Sequence, residues 1–185
     1  MTWIRIVDDA EATGQLKEIY DQIRGKRGKV ANIIKVQSLN PQAMKAHMDL
    51  YYSLMFGKSG LTRPERELIA VVVSAANRCE YCVNHHGEAL NYYWKDREKL
   101  QRLAQDFESV ELPDRTRRVL EYAVKLTLTP GEMEQADVEA LREHGLSDED
   151  ILNINLIVSY FNFVNRIATG LGVEVSPEEV QGYKF

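Results

Sequence analysis

The two cysteines of the chain, Cys79 and Cys82, are separated by two residues, and His86 follows one helical turn after the second. At about 3.6 residues per turn, a helix would place all three side chains on one face. Residues three apart in a helix bring their Cα atoms into the range that a disulfide tolerates, so the pair could close and reopen with little backbone movement. The spacing therefore predicts a redox-active dithiol, with His86 as a proton acceptor or orienting group for Cys82.

The cysteines fall at the predicted start of a helix, because Asn77 and Arg78 interrupt the apolar segment before them. At a helix N-terminus, unpaired backbone N–H groups and the helix dipole favour the thiolate, which is the reactive form of cysteine. Cys79 lies nearest to that end. We therefore expect the helix to favour ionisation of Cys79, and His86 to act on Cys82.

Metal binding and simple core packing are the alternatives for a Cys-x-x-Cys pair. The candidate zinc ligands would be Cys79, Cys82 and His86, completed by His85 or Glu67. Three ligands on one short helical segment are atypical of structural zinc sites, which pair two separated knuckles, so we expect no metal and no other cofactor. A thioredoxin-like fold is also disfavoured, because such proteins place the motif beside a βαβ unit that this sequence lacks.

Helical periodicity recurs along the whole sequence and strand signals are nearly absent, which predicts an all-α protein, a single-domain helical bundle. Thr62 followed by Glu65, and Ser147 followed by Asp150, are the clearest helix starts. The predicted helices span about 9–23, 41–56, 62–77, 79–94, 97–107, 114–128, 133–144 and 151–171, with a short element at 30–36.

Two helix faces are open to more than one interpretation. The helix at 41–56 carries a stripe of methionine and aromatic residues, which favours core packing over a ligand-lining role. The helix at 151–171 is apolar on most of its circumference, which predicts a central core helix or a subunit interface. Its polar stripe either faces water or a subunit, or lines the redox pocket; the stripe consists of Asn155, Ser159, Asn162 and Arg166.

The composition is that of one globular domain: 185 residues, 44% of them hydrophobic, with a formal net charge of −5. Interspersed charges and the lack of a long apolar run predict no nucleic-acid partner, no membrane span and a cytoplasmic location. We divide the domain, 1–185, into an N-terminal helical region, 1–60, a redox core, 61–171, and an irregular tail, 172–185.

The pattern Glu67-x11-Cys79-x2-Cys82-x3-His86 resembles the redox branch of the alkylhydroperoxidase D-like and carboxymuconolactone decarboxylase family, in particular its uncharacterised peroxidase-related proteins. The resemblance is strongest over about 61–90. It implies an all-helical fold, homo-oligomers and thiol-dependent reduction of a peroxide or alkyl hydroperoxide. It also implies that Cys82 attacks the peroxide, that Cys79 resolves the product, and that Glu67 and His86 relay protons. An unidentified thiol or dithiol protein would then restore the dithiol.

One position departs from the family pattern: Tyr81 lies between the cysteines, where well-characterised members have a histidine. A neutral phenol cannot replace imidazole as a base near neutral pH, so the relay through this position is in question. His85 is a possible accessory residue, although a surface position beside His86 is favoured. The alternative functions are a non-catalytic redox sensor, a metal-binding module, or a decarboxylase-like activity as in the cysteine-free branch.

Overall fold

Ten α-helices and two short 3₁₀ helices form the regular structure of residues 2–180, the part of the chain that the computed structural model describes. No strand occurs among these residues, which confirms the predicted all-α fold. The helices are α1 (Gly14–Arg27), α2 (Asn32–Lys35), α3 (Pro41–Phe56), α4 (Arg63–Ala76), α5 (Glu80–Trp94), α6 (Arg97–Gln105), α7 (Asp114–Leu128), α8 (Gln135–Glu143), α9 (Asp148–Gly170) and α10 (Pro177–Val180); the 3₁₀ helices are Phe107–Ser109 and Pro130–Glu132.

The predicted helix starts at Thr62 and Ser147 are confirmed. Each residue caps a helix and forms a reciprocal capping box with the acidic residue three places later, Glu65 or Asp150. These local hydrogen bonds satisfy backbone N–H groups that the helix itself leaves unpaired. The starts of α4 and α9, the two helices that frame the site, are therefore specified by a few adjacent residues.

The first helix differs most from its prediction. It begins at Gly14 rather than near residue 9, because the chain turns at Asp8 and remains extended at Thr13. It also continues through Gly25 to Arg27 and ends at Gly28, whose φ of 89° suits glycine. Apolar periodicity located this helix correctly but placed both of its ends too early.

Helix α4 is the centre of the fold. Its residues from Arg66 to Ser74 are all buried, and it packs mainly against α5, α9 and α7. The turn after it reverses the chain within a few residues: Arg78 takes φ of 55°, and the Cys79 N–H donates to the Ser74 carbonyl. This tight connection brings the N-terminus of α5 against the end of α4, and it places Cys79 just before α5 rather than within it.

Apolar side chains form two clusters. The larger cluster joins α4, α5, α7 and α9, whereas the smaller one joins α1, α2 and α3 and buries Met44 and Met48. Part of the predicted stripe on α3 is therefore core, as expected. The tail differs from its prediction because α10 forms a helical turn; residues 181–185 lie outside the described residues. Within 2–180, no helix has both the length and the apolar character needed to cross a bilayer.

Candidate functional site

The sulfur atoms of Cys79 and Cys82 lie 2.9 Å apart, and both thiols are free and buried. Cys79 is the residue immediately before α5, and Cys82 lies in the first turn of that helix. The backbone geometry therefore brings the two sulfurs within hydrogen-bonding distance in the reduced protein. A pair held this close can share a proton and can form a disulfide with little rearrangement.

The two thiols differ in acidity. A hydrogen bond from the Cys82 thiol, opposed by burial and reinforced by the Cys82 backbone N–H, lowers the pKa of Cys79 to about 7. The same hydrogen bond, together with burial and the negative charge of Cys79, raises the pKa of Cys82 well above its ordinary value. The first thiolate of the pair is therefore Cys79, the cysteine at the helix N-terminus.

Glu67 reaches the site from α4. Its side chain is completely buried; one carboxylate oxygen lies 2.6 Å from Nδ1 of His86, and the other accepts from Nε of Arg63 at 2.8 Å. Burial alone would raise the pKa of Glu67, but His86 and Arg63 outweigh it and hold the pKa below its usual value. Glu67 is therefore a buried carboxylate that orients His86 and leaves the Nε2 atom of His86 for chemistry.

Asn165, which the sequence interpretation missed, lies beside the two sulfurs. Asn165 of α9 is buried, donates to the Ser74 hydroxyl at 3.0 Å and accepts from Asn77 at 2.9 Å. Hydrogen bonds from Asn165 act to lower the pKa of both cysteines. The available signal was its position three residues after Asn162, a member of the polar stripe.

The predicted polar stripe on α9 points elsewhere. Asn155 donates to the hydroxyl of Tyr122, and Asn162 donates to Thr127 and accepts from Asn77. None of the four stripe residues is among the described residues that line the cavity next to Cys82. Asn155 and Asn162 therefore join α9 to α7 and to the turn before Cys79, whereas Ser159 and Arg166 are exposed, as in the water-facing alternative. The stripe does not line the redox pocket.

Tyr81 is directed toward the C-terminal end of the described chain. Its hydroxyl donates to the Glu179 carboxylate at 2.6 Å and accepts from the Ile33 N–H at 3.2 Å. The same carboxylate oxygen accepts from the Asn32 N–H at 2.7 Å and lies 3.4 Å from Nε2 of His85. Sequence interpretation missed Glu179 because no local pattern marks it. Tyr81 and His85 thus belong to a cluster that joins α2, α5 and α10. Both also line the cavity next to Cys82, so His85 is not the surface residue that the sequence favoured.

A cavity of about 70 Å³ lies between the two apolar clusters and is partly open to solvent. Cys82 contributes to its wall, together with Glu67 and His86; Cys79 does not. The N-terminal region contributes the facing wall through His47, Met48 and Tyr51 of α3. Part of the α3 stripe therefore lines the cavity, and the site extends beyond the predicted redox core at 61–171.

His47 and Tyr160 form a second polar pair on this cavity wall, and neither was predicted. Nε2 of His47 lies 2.7 Å from the Tyr160 hydroxyl, and both side chains are buried. Burial lowers the pKa of His47 to about 4 and raises that of Tyr160 well above its ordinary value. Both groups are therefore neutral near pH 7. A lone histidine within an apolar stripe was the only sequence signal.

No group of three or more His, Cys, Asp or Glu side chains within 2–180 is arranged to hold a metal ion. His86 instead engages Glu67, and His85 lies beside Glu179. The side chains that would complete a zinc site with the cysteines are thus engaged in two separate histidine–carboxylate pairs.

The chain resembles known proteins in both sequence and fold. Residues 41–104 match the model of the carboxymuconolactone decarboxylase family. An uncharacterised peroxidase-related protein from Silicibacter sp. TM1040 is 32% identical, with a TM-score of 0.88 over 99% of this chain and 96% of that one. A peroxidase-related protein with an alkylhydroperoxidase D core, from Ralstonia eutropha JMP134, is also 32% identical, with a TM-score of 0.87 over 97% and 94% of the two chains.

A debrominase in complex with 2,3,4-tribromopyrrole shares the fold at 19% identity, with a TM-score of 0.80 over 97% of this chain and 94% of that one. The two peroxidase-related structures, by contrast, combine a common fold with substantial identity over nearly their whole length. On this evidence, the chain belongs to the alkylhydroperoxidase D-like and carboxymuconolactone decarboxylase family.

Proposed function

We propose that this protein is a thiol-dependent peroxidase that reduces hydrogen peroxide or small alkyl hydroperoxides with the dithiol of Cys79 and Cys82. The observation that carries the proposal is the placement of the two sulfurs. Cys82 lines the cavity, and Cys79 lies behind it at 2.9 Å. A substrate in the cavity meets Cys82, while Cys79 is in position to resolve the product.

In the first step, Cys79 is protonated and its thiol donates to the Cys82 sulfur. The proton of Cys82 passes to Nε2 of His86, partly through water, while Glu67 holds Nδ1. The Cys82 thiolate attacks the terminal oxygen of the hydroperoxide, the O–O bond breaks, and Cys82 becomes a sulfenic acid. The alkoxide that leaves receives the proton from His86 and departs as an alcohol. Cys82 is oxidised by two electrons, and the peroxide is reduced by two.

In the second step, the thiolate of Cys79 attacks the sulfur of the Cys82 sulfenic acid. The S–O bond breaks, a disulfide forms, and the hydroxide that leaves takes a proton from solvent to become water. The position of Cys79 at the N-terminus of α5 suits this role, because a helix N-terminus favours the thiolate. A thiol or dithiol protein then returns two electrons and restores the pair.

The comparisons favour peroxide reduction over debromination. The two relatives at 32% identity are peroxidase-related proteins, whereas the debrominase is 19% identical. Bromide release from 2,3,4-tribromopyrrole serves as a parallel assay, with no turnover expected.

The assembly that we propose is a homo-oligomer in the cytoplasm, where reducing proteins are available. Helix α9 exposes Leu152, Leu156 and Phe163 to solvent, with 57%, 39% and 48% of their surface accessible. These large apolar side chains lie along one face of the helix, which is the pattern of a subunit contact. Sedimentation velocity should detect a dimer or larger assembly; a monomer at micromolar concentration would contradict this part of the proposal.

The experiment that tests the proposal is a single turnover of pre-reduced protein with hydrogen peroxide and with tert-butyl hydroperoxide. Thiols are counted before and after, and metal content is measured in the same sample. We expect the loss of two thiols per chain, at a rate far above that of free cysteine. Inert thiols with stoichiometric zinc would point to a metal site, and inert thiols without metal would leave only the family membership.

Two variants separate the roles of the cysteines. Cys82→Ser should abolish peroxide consumption, because the thiol in the cavity wall is lost. Cys79→Ser should permit one oxidation that stops at the sulfenic acid, which dimedone traps and mass spectrometry detects. Equal partial losses in both variants would contradict this division of labour.

A further inference from the structure

A chain of hydrogen bonds on the cavity wall determines the direction of each donor. Nε2 of Gln37 donates to the Ile33 carbonyl at 2.7 Å, so the oxygen of the same amide faces His47. Nδ1 of His47 lies 3.0 Å from that oxygen, which can only accept. His47 must therefore carry its hydrogen on Nδ1.

The other nitrogen of the ring has no hydrogen. Burial lowers the pKa of His47 to about 4, so the ring is neutral near pH 7 and Nε2 is an acceptor. The Tyr160 hydroxyl, 2.7 Å away, is then the donor in this contact. The hydroxyl hydrogen of Tyr160 is thus donated to His47, and the lone pairs of the hydroxyl oxygen can accept a hydrogen bond from another group.

Tyr160 borders the same cavity as Cys82. Burial, the neighbouring Tyr51 and the charge of Cys82 all raise the pKa of Tyr160, so its hydroxyl stays protonated and lies within electrostatic range of the reacting sulfur. Cys82 and Tyr160 therefore line the same cavity, and because the Tyr160 hydroxyl donates its one hydrogen to His47, its oxygen can only accept a further hydrogen bond. Such an oxygen selects a ligand that carries a hydrogen-bond donor.

We infer that Tyr160 is a further catalytic residue, whose oxygen accepts a hydrogen bond from the terminal O–H of the hydroperoxide, and that His47 and Gln37 position it. This inference rests on the proposed peroxidase function and deepens it. The hydrogen on the terminal oxygen remains there when Cys82 attacks, so the contact persists from substrate to sulfenic acid. Tyr160 thus orients the oxygen that is attacked, while His86 supplies the proton for the oxygen that leaves.

The test uses probes that do not depend on peroxide chemistry. In the Cys79→Ser background, methyl methanethiosulfonate, which has no hydrogen-bond donor, labels Cys82, and mass spectrometry follows the rate. Labelling is measured with tert-butanol, which has a donor, and with tert-butyl methyl ether, which lacks one. We expect the alcohol, and not the ether, to slow labelling, with the effect lost in Tyr160→Phe.

Tyr122→Phe is the matched control. Tyr122 is a buried tyrosine whose hydroxyl accepts from Asn155 at 2.9 Å, and it is not among the described residues at the cavity. This variant should keep the protection by tert-butanol. Equal protection by the ether, absence of protection in the parent, or protection that survives Tyr160→Phe would each overturn the inference.

Two further measurements sharpen the test. Tyr160→Phe should slow oxidation by tert-butyl hydroperoxide about tenfold, the cost of one hydrogen bond, while the methyl methanethiosulfonate rate without alcohol stays unchanged. Nitrogen-15 NMR should show His47 with its hydrogen on Nδ1; the opposite tautomer would overturn the inference. If the thiols are inert to peroxide but tert-butanol still protects Cys82 in a way that requires Tyr160, the peroxidase proposal is wrong and the hydrogen bond to Tyr160 is retained.

Discussion

Two consecutive histidines of α5 each pair with a carboxylate from another helix, and the two pairs differ in their surroundings. His86 meets Glu67 at 2.6 Å, and both residues line the cavity next to Cys82. His85 also lines this cavity, but it lies 3.4 Å from Glu179, which is not among the described residues of the cavity wall and which also accepts from Tyr81. We refer to His86 with Glu67 as the inner pair and to His85 with Glu179 as the outer pair.

The partners of the two carboxylates account for the difference. Glu67 is completely buried, and its other contact is the guanidinium of Arg63, so its charge is balanced inside the protein. Glu179 accepts from the backbone N–H of Asn32 and from Tyr81, and its second oxygen lies 3.6 Å from Lys29. The inner pair is suited to moving a proton beside Cys82, whereas the outer pair joins distant segments of the chain.

The largest expected difference concerns the rate of thiol oxidation. Glu67→Gln should slow single-turnover oxidation of Cys82 about 100-fold, because His86 loses the carboxylate that orients it. Glu179→Gln should slow it less than about threefold, since Glu179 is not among the described residues that line the cavity and does not contact His86. Stopped-flow measurement of thiol loss compares the two variants. Similar rates in both would remove the distinction between the inner and outer pairs.

The next expected effect is on stability. Glu179→Gln should lower the free energy of unfolding by about 1–3 kcal/mol, because a buried charged acceptor of three hydrogen bonds is replaced by a neutral amide. Amide hydrogen exchange at Asn32 should accelerate in the same variant. Glu178→Gln is the matched control, because that neighbouring side chain is exposed, and it should leave both measurements unchanged. Unaltered exchange at Asn32 would show that Glu179 does not secure α2.

The outer pair also predicts a pH dependence. Burial would raise the pKa of Glu179, but hydrogen bonds from His85, Tyr81 and the Asn32 N–H outweigh it and lower the pKa to about 2. Because this folded-state value lies below that of the unfolded chain, near 4.5, the stabilisation is complete above pH 4.5 and is lost as the pH falls toward 2.

Denaturant titrations of the parent and of Glu179→Gln at several pH values measure this contribution. The difference in free energy of unfolding should be the same, about 1–3 kcal/mol, at neutral pH and should shrink only below pH 4.5. The subtraction cancels other buried groups, including Glu67. A difference that already declines between pH 7 and 5 would contradict the assignment to Glu179.

The smallest expected effect is that of His85. His85→Gln should change the oxidation rate by less than about twofold, because His85, although it lines the cavity, is engaged by Glu179 and contacts the ring of Tyr81. His86→Gln should slow oxidation at least about tenfold. A comparable loss in both variants would assign His85 to the relay, and would make it a functional substitute for the histidine that Tyr81 replaces.

Much of the helical framework was predictable because the interactions that specify it are local. The capping boxes at Thr62 and Ser147 form within four residues, and Cys79, Cys82 and His86 lie on α5 and the residue that caps it. The first helix was less predictable because its N-terminus lacks a side-chain cap, so periodicity alone did not mark where it begins.

The candidate site was only partly predictable, because several of its contacts join residues far apart in the chain. Neighbours within one helix follow from its geometry, so the dithiol and His86 could be inferred from spacing alone. The contact of His47 with Tyr160 spans 113 residues, and that of Tyr81 with Glu179 spans 98. Such pairs form where two apolar clusters and a terminal segment pack together, and no local pattern encodes which polar side chains meet there.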